Sequence, residues 1–327
     1  MDALPRIYVS AVMMFDALPT PLTFDGRPRG VGVELEFGGL TPRAAADSLV
    51  SAVGGEVVTE SAHAFRVVGT AIGSVTVELD VRHAHPAKYG HELSLRLSER
   101  TADLFGRYAG WAIPTELVTA PLTPERLTSI DRIAAELRSL GARGTRDFGW
   151  RQFGLHFNPE VPSLAGESIA SVLKAFLLLE GALRTSVLGG RNRYLPRMPP
   201  PFPPAYVAQV LSPDYWPSLP DLMREHLAQN ATRQRSLDLL PLFLFVDEAQ
   251  VRAALPWEKI RPRPVFHYRL PLSRIDQPGW SIGPDWNRWV AVERLASDRV
   301  RLDALCRDFL SGQGEGAEGA AIAAANV

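Results

Sequence analysis

From residue 31 the chain alternates Val31, Val33, Leu35 and Phe37 with Gly32, Glu34 and Glu36. A period of two puts the apolar set on one face of a strand and the polar set on the other. The spacing therefore predicts a half-buried strand with Glu34 and Glu36 on the same side. Thr41-Pro42 then supplies a capping residue and a proline at a first helical position, and Gly54-Gly55 ends the segment they open. Shorter extended runs over 56–60, 64–68 and 74–81 predict an antiparallel meander, the last setting Val75, Val77 and Leu79 against Thr76, Glu78 and Asp80.

Further along the period lengthens. Residues 91–108 and 124–140 read as helices either side of a strand over 114–119, and 153–157 as another strand. A long apolar helix is expected over 166–187, followed by a Pro- and Arg-rich loop over 189–204. Helices are expected over 219–228, 237–255, 284–296 and 299–310, with a strand over 265–270. Strands run together early and helices dominate late, without regular alternation, so an α+β antiparallel architecture is predicted over a doubly wound parallel sheet. The expected limits are an N-terminal extension over 1–29, one domain over 30–310, and a flexible Gly/Ala-rich tail over 311–327.

Composition narrows the function classes. With 327 residues, 46% of them hydrophobic, the chain can bury a sizeable core. Its formal net charge of -1 gives no global positive field for nucleic acid or an anionic membrane. No apolar run approaches the roughly 20 residues of a membrane-spanning helix. A single cysteine, Cys306, excludes an intrachain disulfide and a multi-thiolate zinc site. With no signal peptide read at the N-terminus, a cytoplasmic location is expected.

Two carboxylates on one strand face, as at Glu34 and Glu36, can flank a hard cation, although a solvated strand face has the same pattern. Glu78 and Asp80 repeat the arrangement. Glu116 stands alone in the strand over 114–119, and His156 shares a strand face with Asn158. In Arg263-Pro264-Val265-Phe266-His267-Tyr268-Arg269, the residues Val265, His267 and Arg269 share a face, so a metal-ligand type and a guanidinium project together beside Arg263. Arg191, Arg193 and Arg197 on the Pro-rich loop, and Arg233 and Arg235 between two helices, are candidates for an anion pocket, with surface ion pairing as the ordinary alternative. The pair His83 and His85 is read as a loop feature. No Walker-type loop, dinucleotide fingerprint or nucleophile elbow is present.

Taken in order, Gly32-Val33-Glu34-Leu35-Glu36-Phe37, Val77-Glu78-Leu79-Asp80, Pro114-Thr115-Glu116-Leu117-Val118-Thr119, Gly154-Leu155-His156-Phe157-Asn158, the segment 230–241 and the segment 261–271 resemble the amidoligase family. The likeness runs over about residues 30–310. That family is related to glutamine synthetase and glutamate-cysteine ligase. The resemblance implies a glutamine-synthetase-like catalytic domain, a curved antiparallel sheet with flanking helices.

The implied activity is an ATP-dependent carboxylate-amine ligase that forms an amide or peptide bond through an acyl phosphate. ATP and Mg2+ or Mn2+ are the implied cofactors, and a small-molecule or peptide carboxylate and an amine the implied substrates. Glu34, Glu36, Glu116 and His156 resemble the family's metal ligands, with His267 a further candidate. Arg269 and Arg263 resemble its phosphate-binding arginines. Arg191, Arg193 and Arg233 are candidates for nucleotide binding, and Asp80 or Glu78 for deprotonating the amine. Two departures stand out: Asn158 where relatives carry a second histidine, and His267-Tyr268-Arg269 where they carry Glu-x-Arg. The competing expectations are a metal-dependent amide hydrolase and a degenerate ligase fold that only binds.

Overall fold

The computed structural model describes residues 15–80, 113–145, 152–189, 198–258 and 260–312. The expected helix over 91–108, the His83 and His85 pair, Arg191, Arg193 and Arg197, and the expected tail from residue 313 onward lie outside the described residues.

Strand β1, Val31–Phe37, has Val31, Val33, Leu35 and Phe37 completely buried, as its alternation predicts. Helix α1, Pro42–Val53, starts where Thr41 accepts a hydrogen bond from the Ala44 amide at 3.2 Å. It ends at Gly54, whose φ of 76° is a conformation that side chains resist. The meander follows as β2, Glu56–Ser61, β3, Ala64–Thr70, and β4, Gly73–Leu79. Next come β5, Thr115–Thr119, helix α2, Thr128–Ser139, and β6, Leu155–Pro159. Helix α3, Gly166–Val187, has the predicted limits.

The second half departs from the predicted pattern over 237–255 and at β8. Helix α4, Pro204–Leu211, begins at the last residue of the expected Pro-rich loop, with proline in its first turn. The expected helix over 237–255 opens instead with a two-residue strand β7, Leu237–Asp238, then breaks into α6, Leu240–Val246, and α7, Glu248–Ala254, after α5, Leu219–Asn230. Asp247 caps α7 by accepting from the Gln250 amide, and Asp238, two residues ahead of α6, accepts from the amide of Leu240, its first residue. Strand β8 covers only His267–Tyr268 of the expected 265–270. Helices α8, Gly283–Ser297, and α9, Arg299–Leu310, complete the fold.

Among the described residues all strand pairings are antiparallel, and they form an 8-stranded sheet in the order β2-β3-β4-β5-β1-β6-β8-β7. This is an α+β architecture with an open sheet, as the pattern predicts. One face is apolar. There Phe157 packs on Tyr268 and Trp286, and Tyr268 on Phe176 and Trp289, which seats α3 and α8 against the sheet. Each such side chain contributes roughly 1.5–3 kcal/mol when fully buried. The polar residues within apolar α3 are paired: Lys174 donates to the Ser212 carbonyl at 2.7 Å, and Glu180 accepts from Arg184 and Ser236. Among the described residues no helix is long and apolar enough to cross a membrane.

The entry to β1 is fixed by one buried ion pair. Arg29 donates through both terminal nitrogens to Glu293 of α8 at 2.7 Å, and also to the carbonyls of Glu160 and Thr20. Trp289 donates to the same Glu293 carboxylate at 2.8 Å. Removing one partner of such a pair strands the other as a buried charge. Glu293→Gln is therefore expected to lower unfolding free energy by about 3–5 kcal/mol in urea titrations monitored by tryptophan fluorescence. A loss below about 1 kcal/mol, the scale of an exposed pair, would show that this clamp does not hold the strand.

Candidate metal and phosphate site

The polar face of the sheet carries the candidate chemistry, and strand register decides which groups meet. Glu78 on β4 lies directly opposite Glu116 on β5, and Glu116 directly opposite Glu36 on β1. Three carboxylates thus form a row across adjacent strands. In the next row Glu34 stands opposite His156 on β6, and in the one after it Gly32 stands opposite Asn158. A side chain at position 32 would crowd Asn158, whose Cβ lies 3.3 Å from where a Cβ on Gly32 would sit. At Gly154 the same addition would come 2.5 Å from His156 Nε2, so the missing side chain makes room for the imidazole.

Glu34 is the centre of a hydrogen-bond network. Its Oε2 meets His156 Nδ1 at 3.1 Å, and its Oε1 accepts from Asn158 Nδ2 at 3.0 Å and Arg263 at 3.4 Å. Asn158, by donating its amide nitrogen to Glu34, turns its Oδ1 to His267 Nδ1 at 2.7 Å. An amide oxygen only accepts, so His267 carries its proton on Nδ1 and keeps the Nε2 lone pair. His156 likewise turns Nδ1 to the Glu34 carboxylate, which leaves Nε2 as the ring nitrogen outside that hydrogen bond. Both imidazoles are thereby prepared as ligands through Nε2. Asn158, the apparent departure, is the link that orients His267.

Two groups of side chains can each hold a cation. Glu34, His156 and His267 form one, and Glu36, Glu116 and His156 the other; in each, the ligand atoms lie within 4.8 Å of one another. Oxygen-rich ligands with one imidazole suit Mg2+ or Mn2+, whereas the pair of imidazoles leans towards a softer metal. Glu36 is further fixed by the Gly154 amide, which donates to its Oε2 at 2.7 Å.

Electrostatics separate these groups. Burial would raise the Glu34 carboxyl, but the hydrogen bond from His156 and the Arg263 guanidinium draw it below the usual carboxylate range. Glu116 goes the other way: burial pushes it well above that range, and Glu34, Asp80, Glu36 and Glu78 add to the push. Burial, reinforced by Glu36, also raises Asp80. His267 is held well below its ordinary value, chiefly by burial with help from Arg269, and is neutral, as a metal ligand must be.

A cavity of 640 Å³ lies over this face. Every expected site residue within the described residues lines it: Glu34, Glu36, Asp80, Glu116, His156, Arg233, Arg263, His267 and Arg269. Arg191 and Arg193 fall outside the described residues. Sequence reasoning missed Arg252 and Ile260 on its rim, which lie in and after α7 with no local signal of a site. It also missed Asp238, completely buried and 3.6 Å from Arg233 Nε, whose two-residue strand left no periodicity to read. Arg269 donates to the Arg233 carbonyl at 3.3 Å, while its Nε and that of Arg263 are buried without a hydrogen-bond partner among the described residues.

A carboxylate with a raised folded-state pKa gives stability that is complete below the unfolded value of about 4.3 and is lost as pH rises through the folded value. In EDTA, Glu116→Gln is therefore expected to match wild type near pH 4 and to exceed it at pH 7–8, by about 2 °C in Tm for each kcal/mol of relieved repulsion. Saturating Mn2+ should reverse the order, stabilising wild type and not the variant. Equal responses to pH and to Mn2+ would exclude Glu116 from the cluster.

Comparison with known proteins follows the same lines. Residues 27–291 match the family described as "Putative amidoligase enzyme". Neither the curated proteins nor the solved structures include a match to the chain. The match spans most of the 327 residues and every described residue of the carboxylate, imidazole and guanidinium cluster, and the chain belongs to this amidoligase family.

Proposed function

We propose that the protein is an ATP-dependent carboxylate-amine ligase that works through an acyl phosphate on a glutamine-synthetase-like sheet. Membership of the family points to an amide-forming ligase. The observation that carries the rest is the pairing, in one cavity, of a cation-binding carboxylate cluster with Arg263 and Arg269, whose buried Nε groups lack partners. An unmet buried donor costs about 1–3 kcal/mol, and a phosphate oxygen is the acceptor that guanidinium geometry fits best.

The donor sets suit the expected groups. Glu36, Glu116 and His156 would hold Mg2+ or Mn2+, with Glu34 and His267 available for a second ion, and Arg233, Arg263 and Arg269 would hold the phosphates of ATP. When bound, the cation supplies charge that neutralises phosphate oxygens, and ATP the phosphoryl group that turns an inert carboxylate into an acyl phosphate. The chain's own residues do the remainder. Arg269 and Arg263 stabilise negative charge on the activated carboxyl. Asp80, raised above the ordinary carboxylate range, is suited to take a proton from an incoming ammonium. The freed nitrogen lone pair then attacks the acyl carbon, the carbon-oxygen bond to phosphate breaks, and inorganic phosphate leaves.

A metal-dependent amide hydrolase would use the same acids and histidines to activate water. It would leave the buried Nε groups of Arg263 and Arg269 without an acceptor, so the ligase reading is preferred. Incubation with ATP, Mg2+ or Mn2+ and a panel of carboxylates and amines is expected to release ADP and phosphate in proportion to amide product, followed by mass spectrometry. Glu36→Ala should lower the rate by about 100-fold or more, the scale of losing a catalytic electrostatic group. Amide cleavage without ATP would favour the hydrolase, and full activity in Glu36→Ala would remove the metal assignment.

A further inference from the structure

Beside the main cavity lies a second pocket of 380 Å³. The two share Glu36, Asp80, His156 and Arg269, so the second pocket opens onto the point where cation ligands and phosphate-binding arginine meet. Beyond that junction its character changes. Met198, Pro199, Leu270, Pro271 and Leu272 form an apolar wall, and among the described residues no charged side chain lines the pocket away from the junction. Gln152 interrupts the wall: it is 8% exposed, and its Oε1 is buried with no hydrogen-bond partner among the described residues.

We propose that this pocket seats the amine reactant, and that the reactant is a primary amine carrying a compact apolar group. The inference rests on the ligase reading and names a substrate class for it. Charge decides between the two reactants. With Glu36 assigned to the cation, Asp80 is the carboxylate that remains at the junction, beside a guanidinium that already donates to the Arg233 carbonyl. An ammonium pairs with Asp80, whereas a carboxylate placed against it would be repelled. Gln152 Oε1 points to the same choice, since an unmet acceptor is satisfied by an N–H and not by a carboxylate oxygen.

The apolar wall limits what the amine can carry. A second charge on the reactant would be buried among Met198, Leu270 and Leu272 with nothing among the described residues to pair it, at a cost far above what a pocket of this size returns. A branched alkyl or aromatic substituent gains by the same burial, at about 0.8 kcal/mol per methylene. The volume, at the low end for small-molecule sites, fits a compact ligand.

The test uses the full chain with magnesium and compares isopentylamine, ethanolamine and isovalerate by saturation-transfer NMR titration. Isovalerate has the same branched end but a carboxylate in place of the amine. Isopentylamine should bind at least about tenfold more tightly than either competitor, with its methyl groups most strongly saturated. Asp80→Asn should weaken the amine by about tenfold or more, the loss of one hydrogen bond to a charged group. Gln152→Leu should weaken it less and leave the Mn2+ response of the fold intact. Isovalerate binding as tightly as the amine, no amine binding, or an affinity unmoved by Asp80→Asn would each overturn the assignment. ATP-dependent amide synthesis confined to polar amines would sink the pocket and leave the ligase. Amine binding without nucleotide turnover would sink the ligase and leave the pocket.

Discussion

Three carboxylates side by side across neighbouring strands are the constraint on which the site depends. Glu78, Glu116 and Glu36 occupy directly paired positions, and like charges directly opposite one another destabilise a sheet. Burial increases the repulsion, and Glu116 shows it in a carboxyl pushed well above its ordinary range. A cation is the direct way to relieve such a row. The surrounding groups are arranged accordingly, with His156 and His267 each turning Nδ1 to a hydrogen-bond partner and leaving Nε2 outside that bond.

The rest of the fold keeps that row in place. Apolar residues on the opposite face of β1 are completely buried, so a slip of one position would move charge into the core and Val or Leu into the cavity. The Arg29 and Glu293 pair fixes where β1 begins, and the Glu34 network ties β1 to β6 and β8 through side chains. The Arg29 and Glu293 pair and the buried face of β1 lie apart from the row and hold it against its own repulsion.

Much of this was legible in the sequence, for identifiable reasons. Period-two alternation gave β1 and its paired acids, and Thr41-Pro42 with Gly54 gave α1. What could not be read was partnership across strands. Nothing near Glu116 in the chain says that it faces Glu36 and Glu78, because that pairing comes from sheet order. Asn158 looked like a loss relative to a histidine, since a linear motif cannot show an amide joining Glu34 to His267. Strand β7 was read as the start of a helix because a two-residue ladder has no period, and β8 was read as a strand but over 265–270, longer than the two residues that pair. Arg252, Ile260 and Gln152 reach the cavities only through tertiary packing.

The central claim is that these acids and imidazoles form a cation site beside a phosphate-binding pair of arginines. Crystals grown with Mn2+ and a non-hydrolysable ATP analogue, with data collected near the manganese edge, test it most directly. The account predicts an anomalous peak among Glu36, Glu116 and His156, with phosphate oxygens on Arg269 and Arg263. Manganese bound elsewhere, or a nucleotide whose phosphates avoid both arginines, would contradict it.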